Sequence, residues 1–142
     1  MRLFCTTSDG VKGVGGIIKI PESSSWKFRT FPFRQRRLVA IIARYHRRSL
    51  PSKDHSSYDR LGEDEKKMVC ALGGILRIAD GLDCSHLGLV EDLSCTLEGE
   101  DVQITCLAGQ PPQGEDRSVM RKKNLFEKHF RRKVSLSWVL QE

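Results

Sequence analysis

The chain has 142 residues, 39% of them hydrophobic, with 24 Lys and Arg against 18 Asp and Glu and a formal charge of +6. That length accommodates one modest domain, or one domain with a short appendage, and the composition lies above the disordered range. No apolar run is long enough to cross a membrane, and the basic balance favours polyanionic partners such as nucleic acid, polyphosphate or an acidic surface.

Residues 1–30 read as a flexible or foreign leader. Asp9-Gly10, Gly13 and Gly15-Gly16 punctuate it, and Ile17-Ile18 is a short strand-like run. The glycine cluster lacks the Gly-Lys-Ser/Thr ending of a phosphate loop, so nucleotide binding there is not supported. From Arg34 to Arg48, the residues Leu38, Ile41, Ile42 and Tyr45 fall at helical spacing, with Pro32 before them and Pro51 after. Ser56 to Leu61 reads as a helical turn closed by Gly62 in a left-handed cap. Glu63, Asp64 and Glu65 then suit the positive end of a helix dipole, and Met68, Leu72, Ile75, Leu76, Ala79 and Leu82 continue an apolar stripe to about His86. Gly73-Gly74 inside this helix costs roughly 1 kcal/mol per glycine against alanine, which implies another helix packed closely on it.

After Gly88 the period changes to two: Val90, Leu93, Cys95 and Leu97, then Val102, Ile104 and Cys106, with Glu98-Gly99-Glu100-Asp101 as a hairpin turn. Gly109 to Gly114 is a loop, Ser118 to Phe130 a helix, and Val134, Leu136, Trp138 and Leu140 a last strand. The fold class is α+β. A helical part spans 31–88, and a small β-β-α-β part spans 89–142.

Chemistry is concentrated in two phrases, Arg44-Tyr45-His46-Arg47-Arg48 and Leu76-Arg77-Ile78-Ala79-Asp80-Gly81-Leu82-Asp83. A carboxylate set among Leu, Ile and Ala is costly to bury without a cation, a metal or several donors. Asp80 therefore needs a partner, either Arg77 or an arginine of the first helix, and otherwise serves as a metal ligand or phosphate-site acid. A hard-metal site wants three or more converging ligands. His46, Asp80 and Asp83 could supply them for a divalent metal if their two helices packed antiparallel. Arg44, Arg47 and Arg48 either solvate a helix end or bind phosphate through fork-shaped guanidinium donors. His55, His86 and His129 have no motif around them, and no Ser–His–Asp or Cys–His pattern assigns a nucleophile. Five cysteines with no CxxC pair exclude a zinc ribbon or thioredoxin-like motif, and free thiols of this kind point to a reducing cytoplasm.

Val39-Ala40-Ile41-Ile42-Ala43-Arg44-Tyr45-His46-Arg47-Arg48-Ser49-Leu50-Pro51 resembles the "iA.iARYHRk..P" segment of the Ppx/GppA family of exopolyphosphatases and guanosine pentaphosphate phosphohydrolases. Leu76 to Asp83 with Ser85-His86 resembles its next hallmark. Lys123-Asn124-Leu125-Phe126-Glu127 and Phe130 resemble its closing helix. The resemblance runs from about Phe31 to Trp138 and covers only the family's C-terminal region: the later part of an HD-like helical domain and its small α/β tail. The catalytic actin-like region has no counterpart here, so the resemblance implies a non-catalytic fragment. It implies a role in dimerisation, or in pairing with a catalytic domain, and in binding polyphosphate or another phosphate-rich polyanion. Arg44, Arg47, Arg48 and Arg77 are the positions it carries over for that role. Three rival readings remain: a stand-alone HD-like metal-dependent phosphohydrolase using His46, Asp80 and Asp83, a basic nucleic-acid-binding protein, and a fragment with an incomplete helical core. The last would be marked by exposed apolar surface on the Leu72/Leu76 stripe.

Overall fold

The computed structural model describes residues 3–6, 32–47 and 49–141. In chain order the elements are β1 (Leu3–Thr6), α1 (Phe33–Tyr45), α2 (Ser56–Asp59), α3 (Glu63–Leu82), β2 (Val90–Glu98), β3 (Asp101–Ala108), α4 (Glu115–Lys122), α5 (Asn124–Phe130) and β4 (Lys133–Leu140). The class is α+β, as the two periodicities predict. Strand order in the single sheet is β1-β2-β3-β4. β2 and β3 are antiparallel, and the outer strands β1 and β4 run parallel to their neighbours. The pairing of Leu3–Thr6 with Leu93–Thr96 places part of the leader in the sheet. The Ile17-Ile18 run lies outside the described residues.

The hairpin closes where the turn chemistry places it. Glu98 opposes Asp101, and Gly99 takes φ 61°, a left-handed conformation that costs glycine little. Alternation then sorts the strands into two faces. Val102, Ile104, Cys106 and Val134 turn inward against Ile78, Leu82, Leu93 and Val119 to form the larger core, with Leu136 and Trp138 packed beside them. The other face carries Gln103, Thr105, Ser135 and Ser137, joined by hydrogen bonds such as Gln103 Nε2 to Ser137 Oγ at 2.9 Å and Ser137 Oγ to Thr105 Oγ1 at 3.1 Å. The indole N–H of Trp138 is buried with no partner among the described residues.

α3 is the hub. Its acidic first turn starts where Gly62, in extended conformation (φ −63°, ψ 159°), presents its N–H to Glu65 Oε2 at 3.0 Å. Gly62 is thus the N-cap of α3, and the left-handed C-cap expected there does not form. The buried side of α3 is Val69, Gly73, Gly74, Arg77, Ile78, Gly81 and Leu82. This corrects the expected stripe: Met68, Leu72, Ile75 and Leu76 are exposed, Leu72 by 45%. The close helix packing inferred at Gly73-Gly74 is present. A Cβ on Gly74 would sit 2.9 Å from Phe126 Cα, and one on Gly81 would meet Val119 Cα at 3.1 Å. Backbones of α4 and α5 therefore lie directly on the glycine face of α3.

On its other flank α3 meets α1 through a smaller cluster of Ile41, Tyr45, Leu61 and Val69, backed by Leu38, Ile42 and Tyr58. The expected single helix over 118–130 is two helices: α4 ends at Lys122, the chain turns at Lys123, and α5 starts at Asn124, whose side chain accepts the N–H of Leu125 at 2.8 Å.

Candidate functional site: a basic cavity where three helices end

The buried guanidinium of Arg77 organises the site. It lies on the packed face of α3, only 4% exposed, and its donors are spent on main-chain oxygens. Nη1 donates to the carbonyls of Tyr45 and Arg47, both at 3.2 Å, and Nε donates to that of Lys122 at 3.1 Å. Nη2 reaches Asn124 Oδ1 at 3.5 Å. The last carbonyls of a helix have no partner within the helix. One arginine thus satisfies the ends of α1 and α4 together. Burial lowers the pKa of Arg77, opposed by the nearby Asp80. As a candidate anion binder Arg77 is therefore mainly a scaffold group: four of its five N–H donors are already used.

One turn later in α3, Asp80 pairs with Lys122 Nζ of α4. Burial pushes the Asp80 carboxyl up, but the hydrogen bond and charge of Lys122, with His46 and Arg47 behind them, hold it below its ordinary value. The partner that Asp80 requires is thus a lysine 42 positions downstream, in place of an arginine of its own helix or of α1. His46 turns Nδ1 back to the carbonyl of Ala43, and Asp83 faces His86 across 3.7 Å. His46, Asp80 and Asp83 are therefore each committed to a different neighbour. Among the described residues no group of three His, Cys, Asp or Glu side chains is arranged to hold a metal ion.

Around Asp80 opens a cavity of about 510 Å³ lined by Arg47, Arg77, Asp80, Cys84, His86, Arg121 and Lys122. Arg47, just past the end of α1, and Arg121, in the last turn of α4, are exposed there. Neither guanidinium has a hydrogen bond or ion pair within 4 Å to another described residue. Arg44 is also exposed, but it is not among the residues that line the cavity. Arg48 lies outside the described residues.

The wall carrying Cys84 and His86 is fixed by a carboxylate. Glu115 is fully buried at the start of α4 and accepts the N–H groups of Gln113 at 2.6 Å and Ser85 at 3.3 Å, with the Cys84 thiol at 3.8 Å. Burial raises its pKa, and hydrogen bonds from Ser85, Gln113 and its own main chain outweigh that, leaving the carboxyl below its usual range. These donors hold the 83–86 turn, in which His86 adopts φ 58°. In the sequence Arg121 and Lys122 are visible only as members of a basic run through Lys133, with nothing to single them out as site residues, and Glu115 was missed. The available signal was the charge order of α4, acidic at Glu115-Asp116 and basic at Arg121-Lys122, which marks a helix whose C-terminal end is the cationic one.

His55, without a motif in sequence, belongs to the smaller core: its Nδ1 lies 2.9 Å from Tyr45 Oη, and the two rings stack with centroids 5.5 Å apart. Compared with known proteins, the chain matches no family model and no curated protein. No helix among the described residues is long and apolar enough to cross a membrane.

Proposed function

We propose that the chain binds a phosphate-rich polyanion at this cavity, as a non-catalytic counterpart of the C-terminal region of the Ppx/GppA family. The observation that carries the reading is the pair of exposed guanidinium groups of Arg47 and Arg121, neither hydrogen-bonded nor ion-paired to another described residue, lining a cavity whose one carboxylate is already paired with Lys122. Guanidinium forks match phosphate oxygens in pairs, and a partly enclosed basic concavity raises the local concentration of anions. The resemblance of the Val39–Pro51 and Leu76–Asp83 segments to that family supports polyphosphate as the ligand class. Asp80 sets a limit on affinity, because its charge consumes that of Lys122.

Titration with long-chain polyphosphate at about physiological salt, with single-stranded DNA as competitor, tests this reading. Loss of both guanidinium groups, Arg47→Ala with Arg121→Ala, is expected to weaken binding by about tenfold or more and to flatten its dependence on salt, as release of counterions requires. Unchanged affinity would remove the cavity from the account. Equal displacement by DNA would reduce it to a generic basic surface. Asp80→Asn is expected to strengthen binding by releasing Lys122; if Asp80 instead held a catalytic metal, the same change would abolish turnover of a phosphate ester.

A further inference from the structure

We infer that β4 is a pairing edge for β4 of a second copy of this chain. The argument rests on which main-chain groups of the strand are already used. Successive residues of a strand turn their N–H and C=O groups to opposite edges. The N–H of Gln141 donates to the carbonyl of Ala108 at 3.0 Å, so the odd-numbered residues of β4 face β3. The even-numbered residues face the other way, and at the start of the strand they are closed off. The N–H of Val134 donates to Glu127 Oε1 at 2.9 Å, and its carbonyl accepts Lys123 Nζ at 2.8 Å. Among the described residues nothing reaches the outward N–H and C=O groups of Leu136, Trp138 or Leu140.

Edges of sheets are ordinarily blunted by proline, a bulge, charge or a covering element. β4 has eight residues, no proline, and one charge, Lys133, at its far end. Its last two residues, Val139 and Leu140, are 48% and 50% exposed. The opposite edge, β1, has four residues and is short enough to be a poor template.

An extended strand pairs with such a row in register, and the spacing of the open groups fits β4 itself. In an antiparallel two-fold pair centred on Trp138, the open residues meet in matched positions: Leu136 with the partner's Leu140, Trp138 with the partner's Trp138, and Leu140 with the partner's Leu136. Each pair exchanges two main-chain hydrogen bonds, roughly six in all. The register leaves Val134 with Glu127 and Lys123, and it carries both copies of Lys133 beyond the paired segment. The apolar layer of Leu136, Trp138 and Leu140 becomes continuous across the axis. A symmetric contact of this kind closes on itself, whereas β4 against β1 would propagate.

This pairing does not depend on the anion site and uses none of its residues. Sedimentation of the full chain between about 1 and 200 µM, with hydrogen exchange on the same samples, tests it. The expected result is a dimer at the upper end. Amides of Ser135, Ser137 and Val139 should be protected at every concentration, and those of Leu136, Trp138 and Leu140 protected only in the dimer. Leu140→Pro removes an outward donor at a site where an edge strand tolerates proline. It is expected to weaken association by about tenfold or more with an unchanged circular dichroism spectrum. A chain that stays monomeric throughout would overturn the inference. So would a dimer whose Leu136 and Trp138 amides exchange as in the monomer, or one that survives Leu140→Pro but dissociates on Ile75→Lys, which would put the contact on α3.

Discussion

Where α3 meets α4 and α5, its residues are Gly73, Gly74 and Gly81, and backbones lie almost in contact. On the side carrying Met68, Leu72, Ile75 and Leu76 the residues are large and apolar, yet they are exposed. The comparison shows that burial in this helix follows closeness of approach more than hydrophobicity. Small side chains let two helices gain dispersion contacts along their whole backbones, and they leave room for a guanidinium at Arg77.

Three substitutions probe that contrast. Arg77→Met keeps length and apolar bulk but strands the carbonyls of Tyr45, Arg47 and Lys122. It is expected to cost about 3 kcal/mol or more, read as a lower urea midpoint. Gly74→Ala adds one methyl group against the Phe126 backbone and is expected to cost about 1–3 kcal/mol, although alanine is the better helix former. A neutral or stabilising result would mean that α5 can shift and that the seam is loose. Ile75→Lys, one residue away on the exposed side, is expected to change stability by no more than about 0.5 kcal/mol. A loss as large as that from Gly74→Ala would show that the exposed face is covered in solution.

The same contrast explains what was legible in the sequence. Elements were readable because their signals are local: acidic residues at Glu63–Glu65, alternation through Val102, Ile104 and Cys106, and Gly99 in the hairpin. The packed face of α3 was legible only at Gly73-Gly74, whose helical cost implied a close neighbour; a hydrophobic periodicity counts Gly81 and Arg77 as non-core and so selects Met68, Leu72, Ile75 and Leu76 instead. Leu72 and Leu76, where exposed apolar surface was the mark named for an incomplete helical core, are 45% and 38% exposed. At the site, the need of Asp80 for a partner followed from electrostatics alone. Its identity did not, because the charge order of α4 marks Arg121 and Lys122 as a cationic helix end without showing that this end lies beside Asp80, 42 positions earlier than Lys122. Arg47 and Arg77, both carried over from the family resemblance, line the cavity, but Arg77 is largely taken up by carbonyls.

One further consequence follows from where those carbonyls lie. A helix ends in a concentration of partial negative charge, and both α1 and α4 end beside the cavity, so bare helix termini would repel any anion entering it. The buried positive charge of Arg77 sits directly on these two ends. It therefore offsets the two helix ends from within the wall, beside the exposed charges of Arg47 and Arg121, and a neutral residue of the same shape would leave those ends uncompensated while Arg47 and Arg121 stayed in place.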